Sequence, residues 1–128
     1  MSGYNDGTIA LGNKVVNIEI ADTIDKQRLG LGGREVLREN EGMLFVYDQA
    51  LPRRFWMKGM LIPIDMIWMN DNQVVDISAS VQPQPGAADH ELEFYSPSSE
   101  ADKVLEVTSG WAERNDIKIG DEVKFNLP

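Results

Sequence analysis

Apolar and polar residues alternate along several short stretches of the chain, which is the pattern of half-buried β-strands. In residues 14–20, Val16, Ile18 and Ile20 share one side, and polar side chains occupy the other. Residues 73–81 alternate in the same way. Further apolar, β-prone stretches predict strands at residues 42–47, 55–60, 64–69, 103–107 and 122–125.

Two short helices are predicted between these strands. Asp22 or Thr23 can cap a helix that continues through good helix formers and ends at Gly30. Ser109 can cap a second helix over residues 111–114. Both helices are too short to form the core by themselves, so we expect them to pack on the strands.

Two connections have distinct signatures. The sequence Asn-Asp-Asn at 70–72 predicts a hairpin between the flanking strands, because these residues tolerate a positive φ. Residues 82–94 contain two prolines and a glycine and predict the longest loop. Long loops in compact domains often carry function.

Together these elements predict an α+β fold with about seven short strands and two short helices. There is no regular alternation of strands and helices, so we expect a small, strongly bent antiparallel or mixed sheet that closes toward a barrel. We assign residues 1–13 to an N-terminal tail and residues 14–128 to a single domain.

Charge and composition exclude several classes of function. The chain has 12 Lys and Arg against 21 Asp and Glu, a formal net charge of −9. Such a field repels phosphates, so we expect no nucleic-acid partner. Without Cys, the protein has no thiolate nucleophile and no sulfur ligand for a metal. No apolar run approaches the roughly 20 residues that span a bilayer, so we expect a soluble protein without direct membrane insertion. We also expect a monomer.

Four sequence blocks carry a resemblance to a known family. They are Gly-Leu-Gly-Gly-Arg at 30–34, Gly-Met-Leu-Phe at 42–45, the block from Phe-Trp-Met-Lys to Pro-Ile-Asp at 55–65, and the block at 104–121. In this order and spacing they resemble domain-of-unknown-function family 192, from about residue 14 to residue 125. Many members resemble exported or membrane-anchored proteins, which implies such a location for the native protein. The resemblance implies a shared fold and a functional surface, but no reaction.

Three positions depart from the usual pattern of that family. Gly32 stands where Met is common, Gly59 where Asn is common, and Asp116 where Gly is common. Asp tolerates a left-handed backbone better than most residues, so we expect the fold to accept Asp116. The other two departures lie inside the blocks that contain the candidate site.

The candidate site comprises Arg34, Trp56, Lys58 and Asp65. On a strand, Trp56 and Lys58 project to one face, and we expect Phe55 and Met57 on the other face to fill the core. An aromatic ring, cations and a carboxylate at one strand end suit a small polar or anionic ligand such as a sugar, an organic acid or a peptide terminus. The structural alternative is a surface ion pair between Lys58 and Asp65, which would contribute little stability.

We therefore expect a non-catalytic binding module without a cofactor or a metal. The Asp-His-Glu sequence at 89–91 lacks the spacing of a zinc site. A second hypothesis is an envelope-associated module that docks a protein partner on residues 82–95. A third is a hydrolase with a carboxylate pair drawn from Asp65, Asp76, Glu106 and Glu113.

Overall fold

The computed structural model describes residues 3–128, which form a curled, seven-stranded mixed sheet with two short helices. The strands are β1 (Gly7–Leu11), β2 (Lys14–Ala21), β3 (Glu41–Leu51), β4 (Ile64–Asn70), β5 (Gln73–Val81), β6 (Ala101–Thr108) and β7 (Val123–Asn126). The helices are α1 (Ile24–Leu29) and α2 (Trp111–Arg114). Neither helix in the described range is long and apolar enough to cross a membrane.

The strand order in the sheet is β5-β4-β6-β3-β2-β1-β7. Neighbours pair antiparallel except β2 and β3, which are parallel and connected through α1. The two edge strands meet at one corner, where Gln73 and Glu122 form a bridge and Val74 N–H donates to the Asp121 carbonyl at 2.9 Å. The sheet therefore curls into a half-barrel, which confirms the predicted fold class.

Apolar residues cover both faces of the central strands. One cluster receives residues from all seven strands and from α2, including Ile9, Leu44 and Trp111, and it fills the inside of the curl. A second cluster, with Phe45 and Trp68, covers the outer face of β3, β4 and β6. Because these strands are buried on both faces, they read in the sequence as continuous apolar runs.

A buried carboxylate joins three elements at one end of the sheet. Asp65 in β4 is fully buried and accepts three backbone hydrogen bonds. Its Oδ1 accepts from Ser80 N–H at 2.8 Å and from Gly110 N–H at 3.0 Å, and its Oδ2 accepts from Ala112 N–H at 2.9 Å. Ser80 lies in an irregular part of β5 with a φ of 52°. Asp65 thus fixes the bulge in β5 and caps α2 across the sheet.

Several sequence predictions agree with this structure. Thr23 caps α1, Gly30 ends it, and the hairpin at 70–72 has Asp71 at a φ of 56°. Asp116 also takes the left-handed backbone expected for it, with a φ of 55°. The predicted strands at 14–20, 42–47, 64–69, 73–81 and 103–107 all lie within observed strands.

Three local predictions are wrong. Residues 7–11 are not part of a tail but form β1, which pairs with both β2 and β7. Its Gly-Thr-Ile-Ala-Leu sequence is too short for a clear alternation. Residues 55–60 are not a strand, because only Phe55 pairs, through an isolated bridge to Tyr95. Ser109 does not cap α2, since its hydroxyl donates to Ser80 Oγ and Asp65 supplies the cap.

We expect Asp65→Ala to lower the free energy of unfolding by more than about 3 kcal/mol. The change removes the acceptor of three buried or half-buried N–H groups, and each unsatisfied group costs about 1–3 kcal/mol. Urea unfolding at about pH 7 measures the effect. Asp22→Ala, at an exposed position, is the control and should change stability by less than about 0.5 kcal/mol. Equal stability of the two variants would contradict the role given to Asp65.

Candidate functional site

A cavity of about 560 Å³ opens on the outer face of the sheet, between α1 and the segment 54–60. Its base is formed by β3 and β6. The apolar side chains that line it are Ile24, Leu29, Leu31, Phe45, Phe55, Trp56 and Met60. The polar and charged side chains are Gln27, Arg28, Tyr47, Arg54, Lys58 and Glu106.

Helix α1 forms one wall and is fixed by hydrogen bonds to the sheet. Gln27 Nε2 donates to the carbonyls of Ala21 at 3.1 Å and Val46 at 3.0 Å. At the end of the helix, Gly30 has a φ of 51° and packs on Phe45, where an added Cβ would lie 3.3 Å from the ring. The wall therefore follows β2 and β3 closely.

The segment 54–60 forms the opposite wall and is fixed by Phe55. This residue exchanges two backbone hydrogen bonds with Tyr95, each 2.8 Å long. Its ring contacts Phe45 and Trp68 edge-on, with centroids 4.9 Å and 5.1 Å away. Met57 is also buried. These inward side chains leave their neighbours in the segment facing outward.

Trp56 and Lys58 form the exposed aromatic and cationic pair that the sequence predicted. Lys58 Nζ lies 5.4 Å from the centroid of the Trp56 ring. Trp56 also stacks on Phe94, with centroids 5.7 Å apart and planes 9° from parallel. Lys58 Nζ also contacts Asp89 Oδ2 at 2.9 Å, in a pair with both side chains more than half exposed. Such a pair costs little to separate, so Lys58 can turn toward a ligand.

Two arginines complete the positive lining of the cavity. Arg28 extends from α1, and Arg54 extends from the opposite wall. The Arg54 guanidinium lies 4.0 Å from the centroid of Phe94. Within residues 3–128, neither arginine takes part in an ion pair. Their guanidinium groups therefore remain available to an anion.

Glu106 is the one acidic residue of the described chain that lines this cavity. It lies in β6 opposite Met43 on one side and Met66 on the other. Its side chain is only 4% exposed, and within residues 3–128 its carboxyl group makes no hydrogen bond. Burial in this apolar setting raises the pKa of Glu106 to about 8. The carboxyl group is therefore mostly protonated at neutral pH.

Tyr47 lines the cavity beside Glu106. Burial raises the pKa of Tyr47 to about 12, an effect that the Arg53 guanidinium opposes and Glu106 reinforces. Arg53 covers the Tyr47 ring at 3.8 Å from its centroid and donates through Nε to the Ala101 carbonyl at 3.0 Å. Arg53 is thus a structural residue that supports the cavity, whereas its neighbour Arg54 lines it.

The structure does not bring the four predicted site residues together. Trp56 and Lys58 line the cavity, but Arg34 and Asp65 do not. Arg34 lies in a separate depression, where its Nη2 contacts Glu19 Oε2 at 2.6 Å. Asp65 is buried by its backbone hydrogen bonds and cannot reach Lys58, whose partner is instead Asp89. The ligand-binding role of these residues remains a prediction.

The site predicted from the sequence did not include Arg28 or Arg54, and Glu106 had only a place in a set of carboxylates. Arg28 lies in a short helix and Arg54 in a Pro-Arg-Arg turn, where exposed arginines are common and give no signal of a site. Glu106 carried a usable signal, because it is the one charged residue between the apolar residues Val104-Leu105 and Val107 of a central strand. A charged residue inside such a stretch is rare unless it is paired, as Asp65 is, or has a function.

The predicted acidic loop forms no metal cluster within residues 3–128. Residues Asp89–Glu91 form a short 3-10 helix. The Glu91 side chain accepts from Ala88 N–H at 2.8 Å, and Asp89 pairs with Lys58. Residues 89–91 thus lie next to the cavity, because Asp89 contacts Lys58 in its lining.

Comparison with known proteins identifies the family. The sequence profile of domain-of-unknown-function family 192 (DUF192), described as "Uncharacterized ACR", matches residues 7–125. The chain belongs to this family. No curated protein matches it.

Two solved structures resemble this one. A protein of unknown function from Novosphingobium aromaticivorans is 30% identical, with a TM-score of 0.82 over 92% of this chain and 83% of that one. A protein from Sinorhizobium meliloti, described as a proposed transcription regulator, is 22% identical, with a TM-score of 0.85 over 98% of this chain and 97% of that one. The second likeness shows a shared fold alone.

We expect Glu106→Gln to change how stability depends on pH. Because the folded-state pKa of Glu106 is raised to about 8, the folded wild type holds a proton that the unfolded chain releases. Wild-type stability from this group is complete below its unfolded pKa and is lost as the pH rises toward the folded value. The variant cannot titrate there. Its free energy of unfolding relative to wild type should rise by about 1 kcal/mol per pH unit between about pH 5 and pH 8.

Urea unfolding across this pH range measures the free energy of unfolding of both proteins. Subtracting the wild-type value from the variant value removes the contribution of all other titrating groups. Glu113→Gln, on the exposed side of α2, is the matched control and should follow the wild-type curve. Parallel curves for Glu106→Gln and wild type would show that Glu106 ionises normally in the folded protein.

Proposed function

We propose that this member of DUF192 is a non-catalytic module that binds a small organic anion with an apolar body. One observation carries the proposal. In a chain with a net charge of −9, an apolar cavity is lined by Arg28, Arg54 and Lys58, and the one carboxyl group that lines it is the buried Glu106. Three positive side chains thus lie around one concave apolar surface.

The chemistry of the lining suits a ligand with two parts. Guanidinium and ammonium groups bind carboxylates through charge-assisted hydrogen bonds, which are stronger than neutral ones. The rings of Phe45, Phe55 and Trp56 offer apolar contact for the body of the ligand. Burial of apolar area contributes about 25 cal/mol per Å². A ligand with an anionic head and an apolar body uses both kinds of surface.

The size of the cavity agrees with a small molecule. Its volume of about 560 Å³ falls within the range of about 300–1,000 Å³ that is usual for ligand sites. A sugar or a peptide terminus, the other ligands expected from the sequence, would place many polar groups against the apolar base. Three of the polar side chains in the lining are the cations Arg28, Arg54 and Lys58, which favour the carboxylate of an organic acid over neutral hydroxyl groups.

The other two functions have less support. The exposed ring of the segment 82–95, Phe94, already stacks on Trp56 and is covered by Arg54, which leaves it less free to dock a protein partner. A carboxylate-dependent hydrolase needs two carboxyl groups across one cleft, and Glu106 has no second one beside it in the described cavity. The exported or membrane-anchored location implied by the family resemblance remains part of the proposal.

We expect octanoate and phenylacetate to bind the wild type and raise its melting temperature, whereas octanol binds more weakly. The double variant Arg54→Gln/Lys58→Gln should lose at least about tenfold in affinity for the two acids, because each charge-assisted hydrogen bond contributes about 1.5–3 kcal/mol. Its affinity for octanol should not change. Thermal shift followed by isothermal titration calorimetry measures these differences.

The matched control is Arg38→Gln/Lys118→Gln, which removes the same charge from two exposed side chains outside the cavity. It should bind both acids as the wild type does. An equal loss of affinity in the two double variants would show that the effect comes from the net charge of the protein and not from the cavity. If neither acid binds the wild type, the proposal is wrong.

A further inference from the structure

We infer that Glu106 selects organic anions that carry a second, uncharged oxygen, because its carboxyl group lies unpaired at the base of the cavity, where it can donate a hydrogen bond to that oxygen. The inference rests on the proposed function and names the class of ligand more closely. The ligand would be an oxo acid or a related molecule, with its carboxylate at Arg28, Arg54 and Lys58 and its carbonyl at Glu106.

The first argument is the unused hydrogen-bonding capacity of a buried group. Glu106 is 4% exposed, lines the cavity, and has no hydrogen-bond partner within residues 3–128. Buried polar groups are almost always hydrogen-bonded. The carboxyl oxygens of Glu106 are not among the fully enclosed, unpaired side-chain atoms of residues 3–128, so the cavity gives them their remaining access to solvent. Trp68 in the same outer cluster follows that rule, since its Nε1 donates to Ser78 Oγ at 2.9 Å. A ligand oxygen would give Glu106 the partner that the protein does not supply.

The second argument is the fixed position of the carboxyl group. Strand β6 lies in the middle of the sheet, between β3 and β4. Gly42 in β3 allows β3 and β6 to approach closely beside Glu106, since a Cβ at Gly42 would lie 2.8 Å from the Glu106 carbonyl oxygen. A donor on such a rigid strand loses little freedom when a ligand binds, which favours selectivity.

The third argument is the charge of the surroundings. The groups that line the cavity with Glu106 are Tyr47 from β3, Arg28 from α1, and Arg54 and Lys58 from the opposite wall. Burial holds the pKa of Glu106 at about 8 and that of Tyr47 at about 12, so both are mainly neutral at pH 7. A neutral carboxyl group can donate to a carbonyl without repelling the anion. Its ionised form would repel the ligand and could not donate.

The test compares fatty acids with oxo-fatty acids that carry the carbonyl at successive positions along the same chain. Calorimetry at about pH 6.5 and about pH 9.5 measures the affinity ratio of each pair. In the wild type at the lower pH, the best oxo acid should bind about tenfold more tightly than its parent acid, the size expected for one hydrogen bond. At the higher pH this preference should disappear.

Two variants separate the hydrogen bond from the titration. Glu106→Gln keeps a neutral donor, so the preference should persist at both pH values. Glu106→Leu has no donor, so it should bind the parent acids and show no preference at either pH. Any effect of pH that does not involve Glu106 appears equally in the wild type and in Glu106→Gln. Binding should also raise the pKa of Glu106 in the wild-type complex, which the ¹³C shift of its carboxyl carbon reports.

The outcomes distinguish this inference from the proposed function. If parent acids bind but no oxo acid is preferred, or if Glu106→Leu retains the preference, the role of Glu106 is overturned while anion binding stands. If no parent or oxo acid binds at either pH, both proposals are overturned. A preference that follows the protonation of Glu106 and is absent in Glu106→Leu supports the inference.

Discussion

The network of Asp65 is the interaction on which the arrangement of this fold depends. Its carboxylate accepts backbone N–H groups from the bulge of β5 and from the start of α2, which lie 15 and 47 positions away along the chain. No local side chain caps α2. Helix α2, which packs inside the half-barrel, is therefore positioned by a strand residue. The same residue fixes the bulge of β5, so Asp65 determines both the curl of the sheet and the packing of its interior.

Asp65 and Glu106 show how one chemical group serves two purposes in adjacent strands. Asp65 pairs with Val107, and the next residue of β4, Met66, pairs with Glu106. Because side chains alternate across a strand, the two carboxyl groups point to opposite faces of the sheet. The inward carboxylate is saturated with hydrogen bonds and stabilises the fold. The outward carboxyl group has none within residues 3–128, and this difference is the basis of the role proposed for Glu106.

The sequence predicted the elements of the fold better than the site. Period-two patterns located β2 and turn residues located the hairpin at 70–72, because these signals are local. Helix-start signals located both helices, although the cap of α2 is Asp65 rather than Ser109. The site depends on which segments meet across the sheet, and that is non-local. Trp56 and Lys58 were found from their outward spacing, although their segment is not a strand. Arg34 was misplaced, because nothing in its sequence context shows that it pairs with Glu19.

The cavity is separate from the interior core of the half-barrel. The interior cluster takes residues from every strand, whereas the cavity lies over the outer cluster and has walls made of α1 and the segment 54–60. These walls are attached at a few points, chiefly Gln27, Gly30 and Phe55. Substitutions at Arg28, Arg54 or Lys58 therefore change the lining of the cavity without entering the core. Glu106 is the exception, since it belongs to the central sheet and links the chemistry of the site to the stability of the fold.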